Sequence, residues 1–226
     1  MIKKILRILK YIIIVFFAST IFFTILYRYI NPPLTPLMLI RIGEQIAKGE
    51  KIKLKKKWVK LDDISQDMKK AVITAEDNKF AIHYGFDIEA IEKAYKYNQK
   101  KKKIKGGSTI SQQTAKNVFL WQDRTWVRKG FEVYFTLLIE ILWSKERILE
   151  VYLNVIEMGD GIYGIQRAAE TYFHKPASAL NKPESALIAS SLPNPRKFNP
   201  SKPSPFLNKR KNLILRLMNK TGKVEF

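Results

Sequence analysis

The first thirty residues constrain this chain more than any others. Tyr11 to Tyr27 is a run of seventeen residues without a charge, set behind Lys3, Lys4, Arg7 and Lys10 and ahead of Arg28. About twenty residues of helix cross the hydrocarbon core of a bilayer, and Ile5, Leu6 and Leu9 extend the run to that length. A segment apolar on every face, placed at a chain end, cannot be covered by the core of a small domain. A cleaved signal peptide would be shorter and would close on a small-x-small site, which Leu26-Tyr27-Arg28-Tyr29 does not supply. The run is therefore expected to be an uncleaved anchor. Its basic leader predicts a cytoplasmic N-terminus and an exported body, because Lys and Arg next to a first span resist translocation.

Length and composition bound the remainder of the chain. A chain of 226 residues with 46% hydrophobic content can bury one compact domain. Lys and Arg number 41 against 20 Asp and Glu, a formal net charge of +21, which favours an anionic partner: nucleic acid, a membrane surface or a phosphorylated substrate. The absence of cysteine excludes disulfides, a thiolate nucleophile and Cys-ligated zinc or iron–sulfur centres. His83 and His174 are isolated and no His-Glu-x-x-His occurs, so no dedicated transition-metal site is expected.

The chain is expected to divide into a basic tail (1–10), the anchor (11–29), a juxtamembrane linker (30–60) and one domain (61–226). Asn31-Pro32-Pro33-Leu34-Thr35-Pro36 cannot continue a helix, and the lysines from Lys48 to Lys60 read as a solvated stretch facing lipid headgroups. Beyond Leu61 the apolar spacing is helical: Met68, Ala71, Val72 and Ala75, then Ile88, Ile91, Ala94 and Tyr95 behind an Asp87 N-cap. Further helices are expected from Ile110, over 127–143, 145–153, 165–173, 184–192 and 206–218. No alternating strand pattern or internal repeat is present, so the domain reads as mainly α.

Three groups of residues could carry chemistry. Glu76 closes a helix one turn beyond Val72, on its packing face. A carboxylate there loses hydration, which raises its pKa and suits it to proton transfer; a plain ion-pairing or capping role for Glu76 or Asp77 is the alternative. Gly106-Gly107-Ser108-Thr109 leads into a helix in which Thr109 and Gln112 fit a capping box. Such a helix start attracts phosphate, and Lys116, Arg124, Arg128 and Lys129 come after it, although an ordinary capped helix would read the same way. Thirdly, the segment from Val133 to Trp143 is apolar or aromatic except at Thr136 and Glu140, with Glu132 at its edge and Arg128 one turn earlier. Periodicity does not decide between Glu132 and Glu140, and makes Glu140 the more unusual.

Two motif matches fail on context. Gly159-x-Gly161-x-x-Gly164 fits a dinucleotide fingerprint but comes after a helix, not a strand, and reads as a loop ahead of the helix from Ile165. Lys220-Thr221-Gly222 matches one transpeptidase box, but no Ser-x-x-Lys accompanies it.

Taken together, five ordered blocks resemble the glycosyltransferase domain shared by penicillin-binding proteins and the monofunctional biosynthetic peptidoglycan transglycosylases. They are Glu76-Asp77-Asn78-Lys79-Phe80 with His83 and Gly85; Gly106 to Gln113 with Lys116-Asn117; Arg128-Lys129 with Glu132; Lys145 to Glu150 with Tyr152-Leu153-Asn154; and the stretch 161–173. Ser111 stands where the family usually has threonine. The resemblance implies a lysozyme-like, mainly α domain and an inverting, processive transfer of the growing glycan to the 4-hydroxyl of lipid II, releasing undecaprenyl diphosphate. It implies Glu76 as general base and Glu132 as the second carboxylate. It assigns substrate or diphosphate binding to Asp77, Phe80, His83, Gly107, Ser108, Thr109, Gln112, Gln113, Lys116, Asn117, Arg124 and Arg128. It requires no cofactor and leaves room for a divalent cation, Mg or Mn, on the substrate diphosphate, though no residue set demands one. The expected setting is the inner (cytoplasmic) membrane with the domain in the periplasm. Lipid II and other cell-wall synthesis proteins, transpeptidases among them, are the expected partners, with no nucleic acid. Without a transpeptidase module the chain resembles the monofunctional class. A lytic, lysozyme-like hydrolase and a non-enzymatic basic membrane scaffold are the rivals; neither explains both the paired glutamates and the glycine-led helix start with its cations.

Overall fold

The computed structural model describes residues 1–100, 107–123, 125–220 and 222. The anchor is one 28-residue helix, α1 (Ile2–Tyr29), about 42 Å long at 1.5 Å per residue. It begins at Ile2, so the expected tail (1–10) is helical: nothing among Lys3, Lys4, Arg7 and Lys10 breaks a helix, and Ile5, Leu6 and Leu9 continue the apolar face. Its C-terminal half rests on the domain. Trp143 Nε1 donates to the carbonyl of Thr24 (2.8 Å), and the hydroxyls of Thr20 and Tyr134 lie 2.8 Å apart. The Arg147 guanidinium donates to the carbonyls of Tyr27 (2.9 Å) and Ile30 (3.0 Å), placing a cation on the otherwise unsatisfied end of the helix.

The segment expected to be a solvated linker (30–60) belongs to the fold. Thr35 caps α2 (Pro36–Ala47), with Pro36 at the first helical position, and Leu37 and Met38 are buried against Tyr163. Strand β1 (Lys55–Lys56) pairs in parallel with β3 (Ile162–Tyr163), which pairs antiparallel with β2 (Glu157–Gly159). These strands are two or three residues long, too short to show an alternating pattern, and β1 joins through its backbone while its side chains are lysines. Gly161 (φ +70°) makes the tight turn between β2 and β3, and a Cβ there would stand 2.6 Å from the carbonyl oxygen of Lys53. That glycine run is a hairpin, ending at Gly164, the N-cap of α8 (Ile165–Phe173).

The helical body comprises α3 (Gln66–Glu76), α4 (Ile88–Lys100), α5 (Ile110–Phe119), α6 (Trp126–Leu142), α7 (Lys145–Val155), α8, α9 (Lys182–Ser191) and α10 (Pro205–Lys220). Helix α5 is the axis. It is buried on most sides between α6 and α7, while α3 packs on α9 and α10. Met68, Val72, Phe80, Ile110, Ile139 and Leu149 form part of one continuous core. The C-terminus of α3 is thereby brought against the N-terminus of α5.

Candidate active site

Helix α3 ends where Asp77, at φ −164° and ψ 77°, leaves the helical region. The next turns fold back so that the buried Asp77 carboxylate accepts from His83 Nε2 (2.8 Å) and from the backbone N–H of Ile110 (2.9 Å), the first residue of α5. A carboxylate on a helix N-terminus is favoured by the exposed amides and the helix dipole, so Asp77 ties the two helix ends together. The capping box at Thr109 and Gln112 forms, and Thr109 Oγ1 also donates to the carbonyl of Gly85 (2.6 Å).

Glu76 lies beside this knot with its side chain 15% exposed. Gln113 Nε2 donates to its Oε2 (3.0 Å), and Arg210 Nη2 of α10 stands 3.9 Å from its Oε1. Burial pushes the Glu76 carboxyl above the ordinary carboxylate range. The Gln113 hydrogen bond and the charges of Arg210 and Lys116 oppose that rise, while Asp77 adds to it.

Three clefts lie near these residues, two of them sharing a wall. One of about 260 Å³ is lined by Glu76, Asp77, Asn78, Gly107 and Ser108. A larger one, about 640 Å³, shares Gly107 and Ser108 and has an apolar wall of Ile91, Tyr95 and Trp126 facing Arg128 and Lys129. A third, about 220 Å³, is bordered by Arg41, Gln113, Lys116, Asn117 and Glu157. The cations expected in one group are thus divided. Arg128 opens on the larger cleft and Lys116 on the third, with Glu76 and Gln113 between them.

Several residues expected at the substrate are occupied elsewhere. Phe80 is fully buried beneath Lys145, whose Nζ is 4.7 Å from the ring centre, so it supports the loop from below. Asp77, His83 and Thr109 are buried or nearly so and bonded to one another's loops, while Asp77 and Thr109 also line the cleft of Glu76. Gln112 borders the larger cleft but spends its side-chain oxygen on the Thr109 amide (3.0 Å). Asn117 Nδ2 donates to the Gln113 carbonyl (2.8 Å). Arg124 and Gly106 lie outside the described residues.

The two candidate second carboxylates separate by their partners. Glu140 receives Ser111 Oγ and Lys145 Nζ (2.8 Å) beneath the loop of residues 78–86, where Gly85 (φ +80°) presses on it. That is a structural seat, and the apolar sequence around Glu140 reflects its burial. Glu132, 4% exposed, is paired with Arg128 Nη1 (2.5 Å) and Lys129 Nζ. It lines none of the three clefts; it pairs with the two cations that border the larger one. Arg210 was not singled out by sequence, and Tyr152 entered only as part of a block carrying the resemblance, with no role of its own. Arg210 is one of many cations in a basic helix, and Tyr152 reads as an ordinary core aromatic.

Known proteins match this sequence closely. The transglycosylase family model matches residues 43–219. The biosynthetic peptidoglycan transglycosylase of Bacteroides thetaiotaomicron is 58% identical over 218 residues, covering 96% of this chain and 88% of that protein. That of Bdellovibrio bacteriovorus is 52% identical over 90% of this chain and 81% of its own length, and that of Pseudomonas entomophila 46% over 98% and 94%. With a family match across most of its length and relatives spanning nearly all of it, the chain belongs to the transglycosylase family.

Proposed function

We propose that this transglycosylase polymerises peptidoglycan glycan strands from lipid II by a single inverting displacement, with Glu76 as general base. Glu76 takes the proton of the acceptor's 4-hydroxyl as that oxygen bonds to the anomeric carbon of the growing chain. The bond from that carbon to the diphosphate oxygen breaks, and undecaprenyl diphosphate leaves with the electron pair. The observation that carries this reading is a poorly hydrated carboxylate whose own cleft shares Gly107 and Ser108 with one cation-bearing cleft, and whose partner Gln113 lines another. Donor and acceptor each bring a diphosphate, so chain transfer needs cations on both sides of the base, whereas glycan hydrolysis has no diphosphate to hold. The larger cleft, with its apolar wall opposite Arg128 and Lys129, suits the lipid-linked leaving group; Lys116 serves the incoming substrate. Among the described residues no three His, Asp or Glu side chains converge on a metal site, so a divalent cation, Mg or Mn, would be held by the substrate diphosphate itself.

The basic leader supports a cytoplasmic N-terminus and a domain on the outer face of the inner membrane. Helix α6 then sits at membrane depth, because Phe16 to Thr24, on which it and Trp143 pack, is the middle of the uncharged run. Lipid-tethered substrate and anchored enzyme meet within one plane, which raises their effective concentration. Transpeptidases that cross-link the product are the natural protein partners.

The test is incubation of the purified full-length protein with labelled lipid II. Polymer from wild type and none from Glu76→Gln supports the reading. Polymer from Glu76→Gln removes the base, and shortening of preformed glycan without polymerisation replaces synthesis by hydrolysis.

A further inference from the structure

Tyr152 of α7 is fully buried in the core, yet it carries a hydroxyl where phenylalanine would pack as well. A buried hydroxyl is retained at a cost unless it is hydrogen-bonded, and this one donates to Gln113 Oε1 (3.2 Å). The other end of the same amide, Gln113 Nε2, donates to Glu76 Oε2 (3.0 Å). The polarity of this relay is set by chemistry. An ionised carboxylate only accepts, so the amide must turn its NH₂ to Glu76 and its oxygen to Tyr152, which must then donate. Burial and the nearby carboxylates of Glu76 and Asp77 push the Tyr152 hydroxyl well above its ordinary range, so it keeps its proton throughout the working pH.

We propose that Tyr152 is a positioning residue for the transfer reaction: by locking the Gln113 amide, it pins Glu76 Oε2 and leaves Oε1, the oxygen facing Arg210, to take the acceptor's proton. The proposal rests on the reading of Glu76 as general base. Without the hydroxyl the amide is free to rotate. It then presents either end to Glu76, and the ionised carboxylate loses a donor that favours its charged form. The acidic limb of the rate profile reports that loss. Tyr152 borders the third cleft beside Gln113 and Lys116 but exposes none of its surface, and its hydroxyl is spent on Gln113, so its effect is expected on turnover more than on substrate affinity.

The experiment is polymerisation of lipid II by full-length Tyr152→Phe, Gln113→Ala, the double variant and Glu76→Gln, with kcat and KM measured across pH and Tm recorded for each. The ring of phenylalanine keeps the packing, so Tm is expected near wild type. Expected for Tyr152→Phe is a kcat about tenfold lower, the order of one buried hydrogen bond, with KM unchanged and the acidic limb moved to higher pH. In the Gln113→Ala background the Tyr152→Phe change is expected to have no further effect, because the two residues act through one path. Wild-type kcat for Tyr152→Phe, a rate loss with an unmoved acidic limb, or additive losses in the double variant would overturn the relay. If Glu76→Gln is inactive while Tyr152→Phe is silent, only the relay falls; if Glu76→Gln polymerises, the base assignment falls first.

Discussion

Replacing Glu132 by Gln separates holding cations from moving protons. Its carboxylate is 4% exposed and paired with Arg128 at 2.5 Å and with Lys129. Removing one partner of a buried ion pair costs about 3–5 kcal/mol, mostly because the other charge is left buried. Arg128 is 11% exposed and borders the larger cleft, where it can turn toward water, and the glutamine oxygen still accepts one hydrogen bond. Lys129, 39% exposed, adds little. The lower end, about 3 kcal/mol, is therefore expected, equivalent to a fall in Tm of about 6–12 °C for a domain of this size. With Arg128 no longer held, affinity for the lipid-linked donor falls, so KM rises more than kcat drops, and inorganic diphosphate becomes a poorer inhibitor. Calorimetry and steady-state polymerisation of the full-length variant check both. An unchanged Tm with a kcat loss of about 10²–10⁴-fold, the range of general acid–base catalysis, would refute the reasoning and make Glu132 a proton-transfer group.

The same geometry sets other expectations. The folded-state pKa of Glu76 is raised, so its ionisation opposes folding: the stability of the neutral form is fully present below the ordinary carboxylate range and is lost as pH rises through the raised value. Glu76→Gln is thus expected to raise Tm at pH 8, with the difference closing toward pH 4; a variant less stable than wild type at pH 8 would contradict the burial argument. Gly85→Ala places a methyl 2.7 Å from Thr136 Cγ2 at φ +80°, and strain plus overpacking should cost about 2–4 kcal/mol in denaturant melts. Gly130→Ala, inside α6 with nothing within 4 Å, should gain about 0.5–1 kcal/mol in the same measurement. In vesicles, a bromine on the lipid chains is expected to quench a single tryptophan placed at Leu137, half exposed on α6, more than one at Leu213 on α10; equal quenching would argue against α6 at membrane depth.

Legibility from sequence tracked the length scale of each signal. The anchor and the helices were readable because their apolar spacing extends over several turns, and caps such as Asp87 mark their ends. The strands were not, since β1 contributes two lysines whose backbone, not side chains, joins the sheet. Among the charged groups, local pattern placed Glu76 on a packing face but could not rank Glu132 against Glu140, because both are buried and their partners come from different elements: Arg128 on the same helix, Lys145 and Ser111 from its neighbours. Arg210 lies 134 positions beyond Glu76 and reaches it only because α10 packs on α3, which no local spacing encodes. The same holds for Tyr152, whose role depends on a hydrogen bond to a neighbouring helix.

The central claim is tested most directly by the structure of the full-length protein with a non-reactive donor and lipid II both bound. The acceptor's 4-hydroxyl oxygen is expected within about 2.6–3.2 Å of Glu76 Oε1, with the donor diphosphate beside Arg128 and the acceptor diphosphate beside Lys116. An acceptor hydroxyl well beyond hydrogen-bond reach of Glu76, with another side chain in place to take its proton, would contradict the account.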